Sequence, residues 1–121
     1  MASSARLISQ WTKFEIAKVF KQARRCLKHS GLDILLYPKM HEVGRLLVVT
    51  PGKIGNAVHR NRVRRRLKSL FYEGKFMDKA FDCIIIVKKD GISLDYDQLN
   101  ELLLKAYQNS QNLPQSYENR S

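Results

Sequence analysis

The sequence predicts an α+β fold, a two-layer α/β sandwich in which helices pack on a mixed central sheet. Three observations carry this expectation. Apolar residues recur at helical spacing in three segments, apolar runs of strand length lie between them, and turn residues bring neighbouring elements close enough for a hairpin. With 121 residues, 44% of them hydrophobic, the chain is expected to build one domain around a single modest core.

Residues 1–10 form a short segment before the first helix start and are expected to be a frayed arm, with Arg6 and Leu7 as its docking points. A helix start follows. Thr12-Lys13-Phe14-Glu15 matches a capping box, and Trp11 and Ile16 are spaced for a hydrophobic staple across it. Ile16, Val19, Phe20, Ala23 and Leu27 then share one stripe, with Cys26 at its edge and Ser30-Gly31 as the stop. The other face holds Lys13, Lys18, Lys21, Arg24, Arg25 and Lys28, with Phe14 among them.

Leu32 to Tyr37 reads as a strand closed by Pro38. After the turn Lys39-Met40-His41-Glu42, Val43 to Thr50 reads as the next strand, close enough to be its antiparallel hairpin partner. Pro51-Gly52 ends that strand, and Asn56 is the expected N-cap of a helix reaching about Tyr72. Glu73 to Ala80 is expected as a charged loop, and Phe81 to Val87 as a buried strand closed by Lys88-Lys89-Asp90-Gly91. Asp95, with Gln98 three residues on, caps a last helix whose Leu99, Leu102, Leu103 and Ala106 face inward. The domain is thus expected to span residues 1–107, with 108–121 a polar, disordered tail.

A formal charge of +11 and a pI near 10.0 point to a nucleic acid or an anionic membrane surface. No apolar run approaches the roughly 18 residues that span a bilayer, and the N-terminus lacks the apolar stretch of a secretory signal. A membrane partner is therefore not expected. Cys26 and Cys83 fit neither a disulfide framework nor a zinc pattern, and read as buried free thiols in a reducing, cytoplasmic setting.

Catalytic candidates are few. Asp33, Asp82 and Asp90 stand at strand ends, and Asp95 and Asp97 suit a helix start better than acid–base work. His29, His41 and His59 lie in three separate elements and form no metal-ligand motif. His59 alone is near the basic surface, where a phosphate or solvent contact is the preferred reading over a general base. No catalytic residue, metal ligand, bound cofactor or small-molecule substrate is expected of the chain itself.

Binding residues are concentrated in Arg60-Asn61-Arg62-Val63-Arg64-Arg65-Arg66-Leu67-Lys68, where six of nine residues are cationic. Val63 and Leu67 are about one turn apart, and Leu70 and Phe71 continue their face. The remaining faces of the helix are left to guanidinium groups, which grip phosphates with a planar fork and also stack on bases. Gly52-Lys53-Ile54-Gly55-Asn56 leads into the positive end of this helix and reads either as a phosphate-holding loop or as a simple tight turn. It lacks the upstream glycine and following Ser/Thr of a Walker loop. Phe14 reads either as a base-stacking side chain or as packing for the N-terminal arm.

Gly55 through Arg65 matches, without a gap, the G-x-A-V-x-R-N-R-x-[KR]-R pattern of the bacterial ribonuclease P protein component, which the chain resembles over roughly residues 6–107. The resemblance implies a fourth strand, hidden before Tyr37 or split within Val43–Thr50, in an αβββαβα-like order. It also implies a left-handed crossover at the basic helix. It implies a protein cofactor of a catalytic RNA that removes the 5′ leader of precursor tRNA, with Mg²⁺ acting in the RNA holoenzyme. Lys53, Asn56, Arg60, Asn61, Arg62, Arg64, Arg65 and Lys68 would contact the catalytic RNA, and Phe20 and Tyr37 would line a cleft for the leader. The family usually has phenylalanine where this chain has Ile16, with Phe14 two residues earlier, so both join the cleft candidates. A structural RNA-binding protein of ribosomal type, with no part in cleavage, is the alternative.

Overall fold

The computed structural model describes residues 11–110; the expected arm and most of the expected tail lie outside them. Within them the chain runs α1 (Lys13–Gln22), β1 (Arg24–Lys28), β2 (Leu32–Pro38), β3 (Leu46–Val49), α2 (Ala57–Glu73), β4 (Phe81–Val87) and α3 (Tyr96–Asn109). Short 3₁₀ turns occupy Gly52–Ile54, Phe76–Asp78 and Lys89–Ser93.

The sheet has the order β1-β2-β4-β3. β2 is antiparallel to β1 and to β4, whereas β3 is parallel to β4, with Leu46 opposite Cys83 and Val49 opposite Ile86. The expected hairpin between the second and third strands is therefore corrected, because β4 lies between them. β2 and β4, each hydrogen-bonded to two neighbours and each buried along nearly its whole length, form the centre of the sheet. The parallel pair β3 and β4 is joined through α2, which places the basic helix against the sheet.

The fourth strand is the segment expected to finish the first helix. α1 breaks at Ala23, whose backbone is extended at φ −66° and ψ 146°, and Arg24–Lys28 pairs with β2. Only Leu27 of this strand is buried, so its local pattern fits either a helix or a strand. The free edge of β2 decides, since its backbone groups need partners. The cations of β1 then face solvent along the sheet edge, where charge discourages pairing with other chains. Cys26 sits at the register shift of this strand and is half-buried, so of the two thiols only Cys83 is fully enclosed.

Two clusters hold the fold. On one face of the sheet Leu32, Ile34, Leu36, Leu46, Cys83, Ile85 and Val87 meet Val63, Leu67, Leu70 and Phe71 of α2 and Leu99, Leu103 and Ala106 of α3. On the other face Tyr37 and Ile84 pack on Val19 of α1, with Trp11, Ala23, Leu35, Leu47 and Ile86 around them. The expected charged loop after α2 instead buries Phe76, which stacks on Phe71 and meets Tyr107 with ring centres 4.9 Å apart. At the entry to β3, a Cβ on Gly44 would lie 2.4 Å from the Phe81 carbonyl oxygen, so only glycine lets the two backbones approach. Gln108 and Asn109, expected in the tail, complete α3, and the Asn109 amide donates to the Cys26 carbonyl at 2.8 Å.

Candidate nucleic-acid interface

The basic helix begins as the sequence requires. Asn56 Oδ1 accepts from the His59 backbone N–H at 2.9 Å, capping α2, so this binding candidate also serves the fold. Val63, Leu67, Leu70 and Phe71 are buried against the sheet. One face being fixed in this way, 3.6-residue periodicity turns Asn61, Arg62, Arg65 and Lys68 outward, and all four are exposed.

The arginines fall into two groups. Arg60 Nε donates to the Gly55 carbonyl at 3.2 Å, and Arg66 donates to the Leu94 carbonyl at 3.0 Å. Arg64 donates to Asn61 Oδ1 at 2.9 Å and to the Thr50 hydroxyl, which pins its guanidinium between α2 and the end of β3. By contrast, Arg62, Arg65 and Lys68 have no hydrogen bond or ion pair among the described residues. Lys53 is exposed on the turn Gly52–Ile54, whose Ile54 is buried as its anchor. The eight candidates for the catalytic RNA thus share one element and its entry loop.

The four cleft candidates lie on the opposite face of the sheet, on α1 and β2. Phe20 is 42% exposed at the flank of α1, and Ile16 is half-buried beneath the helix. Tyr37 is fully buried, and its hydroxyl donates to Gln22 Oε1 at 2.9 Å, so it forms floor beneath this surface and not its rim. Phe14 is 79% exposed on the solvent side of α1, turned away from the sheet. A cleft of about 440 Å³ opens at the far ends of β3 and β4, lined by Pro51, Lys53, Ile54, Ile86, Val87, Lys88 and Lys89. Lys53 belongs to both this cleft and the α2 surface. Lys88 and Lys89 read in sequence only as turn residues; a lysine pair closing a buried strand was the available signal.

A buried charge network, also missed in sequence, positions α1. Arg45 is 5% exposed and Asp82 fully buried. Arg45 donates to Glu15 Oε1 at 2.9 Å, its backbone N–H donates to Asp82 Oδ1 at 2.7 Å, and its guanidinium lies 4.1 Å above the Trp11 ring. His41 Nε2 donates to the other Glu15 oxygen at 2.7 Å, and the Thr12 backbone N–H closes the capping box at 3.0 Å. Trp11 Nε1 donates to the Leu46 carbonyl at 2.9 Å, reaching β3. Hydrogen bonds from Arg45 and then His41 hold the Glu15 carboxyl well below the usual carboxylate range. Burial pushes Asp82 the other way, up to about 6, against the pull of the Arg45 backbone N–H and charge. The remaining described acids near α2 are engaged locally. Asp95 caps α3, and Glu73 accepts from Ser69 and Tyr96. No group of three or more metal-ligating side chains is assembled among the described residues.

A mixed sheet that presents one arginine-covered helix on one side and an aromatic, lysine-bearing helix on the other defines a cationic α/β docking domain. The ribonuclease P family model matches residues 1–111, and the chain belongs to that family. It is 34% identical over 91 residues to the ribonuclease P protein component of Erythrobacter litoralis, covering 72% of this chain and 75% of that protein. Against the Bacillus pumilus component it is 29% identical over 97 residues, covering 79% and 82% respectively. The match to the Citrifermentans bemidjiense component, 32% identical over 74 residues, covers 61% of this chain and 64% of that protein, just under two thirds of its length. The fold superposes on the Staphylococcus aureus RNase P protein with a TM-score of 0.73 at 18% identity, covering 86% of this chain and 95% of that one. The Thermotoga maritima RNase P protein gives 0.67 at 24% identity, covering 79% and 91%. At these identities the two structures speak for the fold.

Proposed function

We propose that the chain is the protein subunit of a ribonuclease P holoenzyme in the cytoplasm. It docks on the catalytic RNA through α2 and holds the 5′ leader of precursor tRNA on the α1 side of the sheet. The carrying observation is that Arg62, Arg65 and Lys68 stand exposed and unengaged, among the described residues, on a helix whose apolar face is wholly buried. Cations held so, beside the Arg64 guanidinium pre-oriented by Asn61 and Thr50, gain their affinity by displacing counterions from a phosphate backbone. Phe20, above a floor containing Tyr37, offers a ring to an unpaired base.

In this reading the Mg²⁺ ions belong to the RNA. Of the described carboxylates, Glu15 and Asp82 are committed to Arg45, and Glu73 and Asp95 to hydrogen bonds within the fold. The chain's part is to bind and orient, and no bond-breaking step is assigned to it.

The test is reconstitution with a bacterial ribonuclease P RNA at low Mg²⁺. Restored removal of the tRNA leader is expected. Tight RNA binding without stimulation would favour a ribosomal-type structural role instead.

A further inference from the structure

We propose that the solvent side of α1, centred on Phe14, is a second stacking site for the substrate's single-stranded leader, outside the cleft beside Phe20. The inference rests on the leader-binding reading above.

Among the described residues Phe14 is the most exposed of the large apolar side chains, at 79% against 42% for Phe20. It belongs to neither core cluster of the described residues. The remaining three phenylalanines, Phe71, Phe76 and Phe81, are all buried, and α1 is held by Val19, Glu15 and Trp11. Its neighbours on the helix are cationic. Lys21 lies two turns on along the same line and Lys13 beside it, both exposed, with Lys18 one turn away on the border. The one acid of α1, Glu15, is turned inward to Arg45 and His41, so this face carries positive charge only.

An aromatic ring among lysines, with no acid on the face, suits an unpaired nucleotide. The base stacks on the ring while its flanking phosphates meet the ammonium groups. A base-paired strand offers no free face for such a ring, which selects single-stranded RNA as the occupant. Position selects the leader. Phe14 and Phe20 are six residues apart on one helix, or about 9 Å along its axis, so a strand leaving Phe20 toward the N-terminal end of α1 meets Phe14 next.

The experiment uses the reconstituted holoenzyme and precursor tRNA carrying either a long single-stranded leader or one cut back to its last nucleotides. Phe14→Ala is expected to weaken binding of the long-leader substrate about five-fold or more, with a clearly smaller loss for the short leader. Phe14→Tyr is expected to keep native affinity and Phe14→Leu to fall with the alanine variant, because stacking needs the ring. Equal losses with both leaders would overturn the proposal, as would an undiminished affinity of Phe14→Ala or full rescue by leucine. Equal losses with a lowered melting temperature would identify residues 1–10 as the occupant. Failure of the native protein to restore cleavage at low Mg²⁺ would instead remove the leader-binding function proposed above, a result distinct from any of these.

Discussion

Arg62→Ala should change how this protein binds RNA while leaving its fold almost untouched. Arg62 is exposed on α2, and no hydrogen bond or ion pair engages it among the described residues. Alanine is the better helix former, so a stability change within about 0.5 kcal/mol is expected. Each phosphate contact contributes roughly 0.7–0.9 to the slope of log affinity against log salt. Over a range from about 50 to about 200 mM salt, one contact is therefore worth about three-fold in affinity. The native protein's advantage over the variant should shrink by that factor across the range. Arg66→Ala is the contrast. Its guanidinium ties α2 to the Leu94 carbonyl, so about 1–2 kcal/mol of stability should go with a smaller change in slope. Fluorescence titration of labelled ribonuclease P RNA across salt, beside urea melts of the free proteins, reads both quantities. Parallel salt plots for native protein and Arg62→Ala would refute the assignment of Arg62 to a phosphate.

Phe20→Ala should weaken binding of a precursor tRNA with a long leader by about five-fold or more and shift the urea midpoint little, because the ring is already 42% exposed; an equal fall in stability would mark it as packing. Glu15→Ala leaves the buried Arg45 guanidinium without its nearest carboxylate, and should cost about 3–5 kcal/mol by equilibrium unfolding. Two carboxyls set opposite pH slopes. Asp82 titrates in the folded protein at about 6, above its ordinary 3.8, so its contribution to stability is fullest below 3.8 and is lost as pH rises through about 6. Glu15 is depressed from 4.5, so its contribution is present above 4.5 and lost in acid. Melting temperature should therefore rise as pH falls from neutral toward 5 and drop below 4.5, and Asp82→Asn should flatten the neutral-side slope. Gly91→Ala would set a Cβ 2.0 Å from the Gly31 carbonyl oxygen, and a loss of about 2 kcal/mol or more in urea melts is expected.

Local chemistry and family pattern left their marks in the sequence in different places. The capping boxes at Thr12 and Asp95 and the Asn56 cap formed as read, because a cap is a contact among residues three apart. The stripe Val63, Leu67, Leu70 and Phe71 is buried as its spacing requires. The end of α1 was not legible. Arg24–Lys28 satisfies a helical stripe through Leu27 as well as a strand, and its partner lies on the far side of a turn. Phe76 was hidden in a charged loop for a similar reason. Its place beside Phe71 and Tyr107 depends on Lys75 entering the left-handed region at φ 57° and on α3 arriving later in the chain.

The arginine-rich helix, its cap and its buried face are determined by the sequence alone, since each depends on residues within a few turns of one another. Which cations on that helix remain unengaged was decided by the tertiary structure. Arg60, Arg64 and Arg66 are held by Gly55, Thr50 and Leu94, while Arg62, Arg65 and Lys68 are not held by any described residue. Strand order was decided the same way, because a backbone edge carries no side-chain label and pairs with whichever strand the packing of helices brings to it. The charge network of Glu15, Arg45, His41 and Asp82 is the clearest case. Its members come from three separate stretches of chain, and only when the sheet closes are they brought together into the clamp that positions α1.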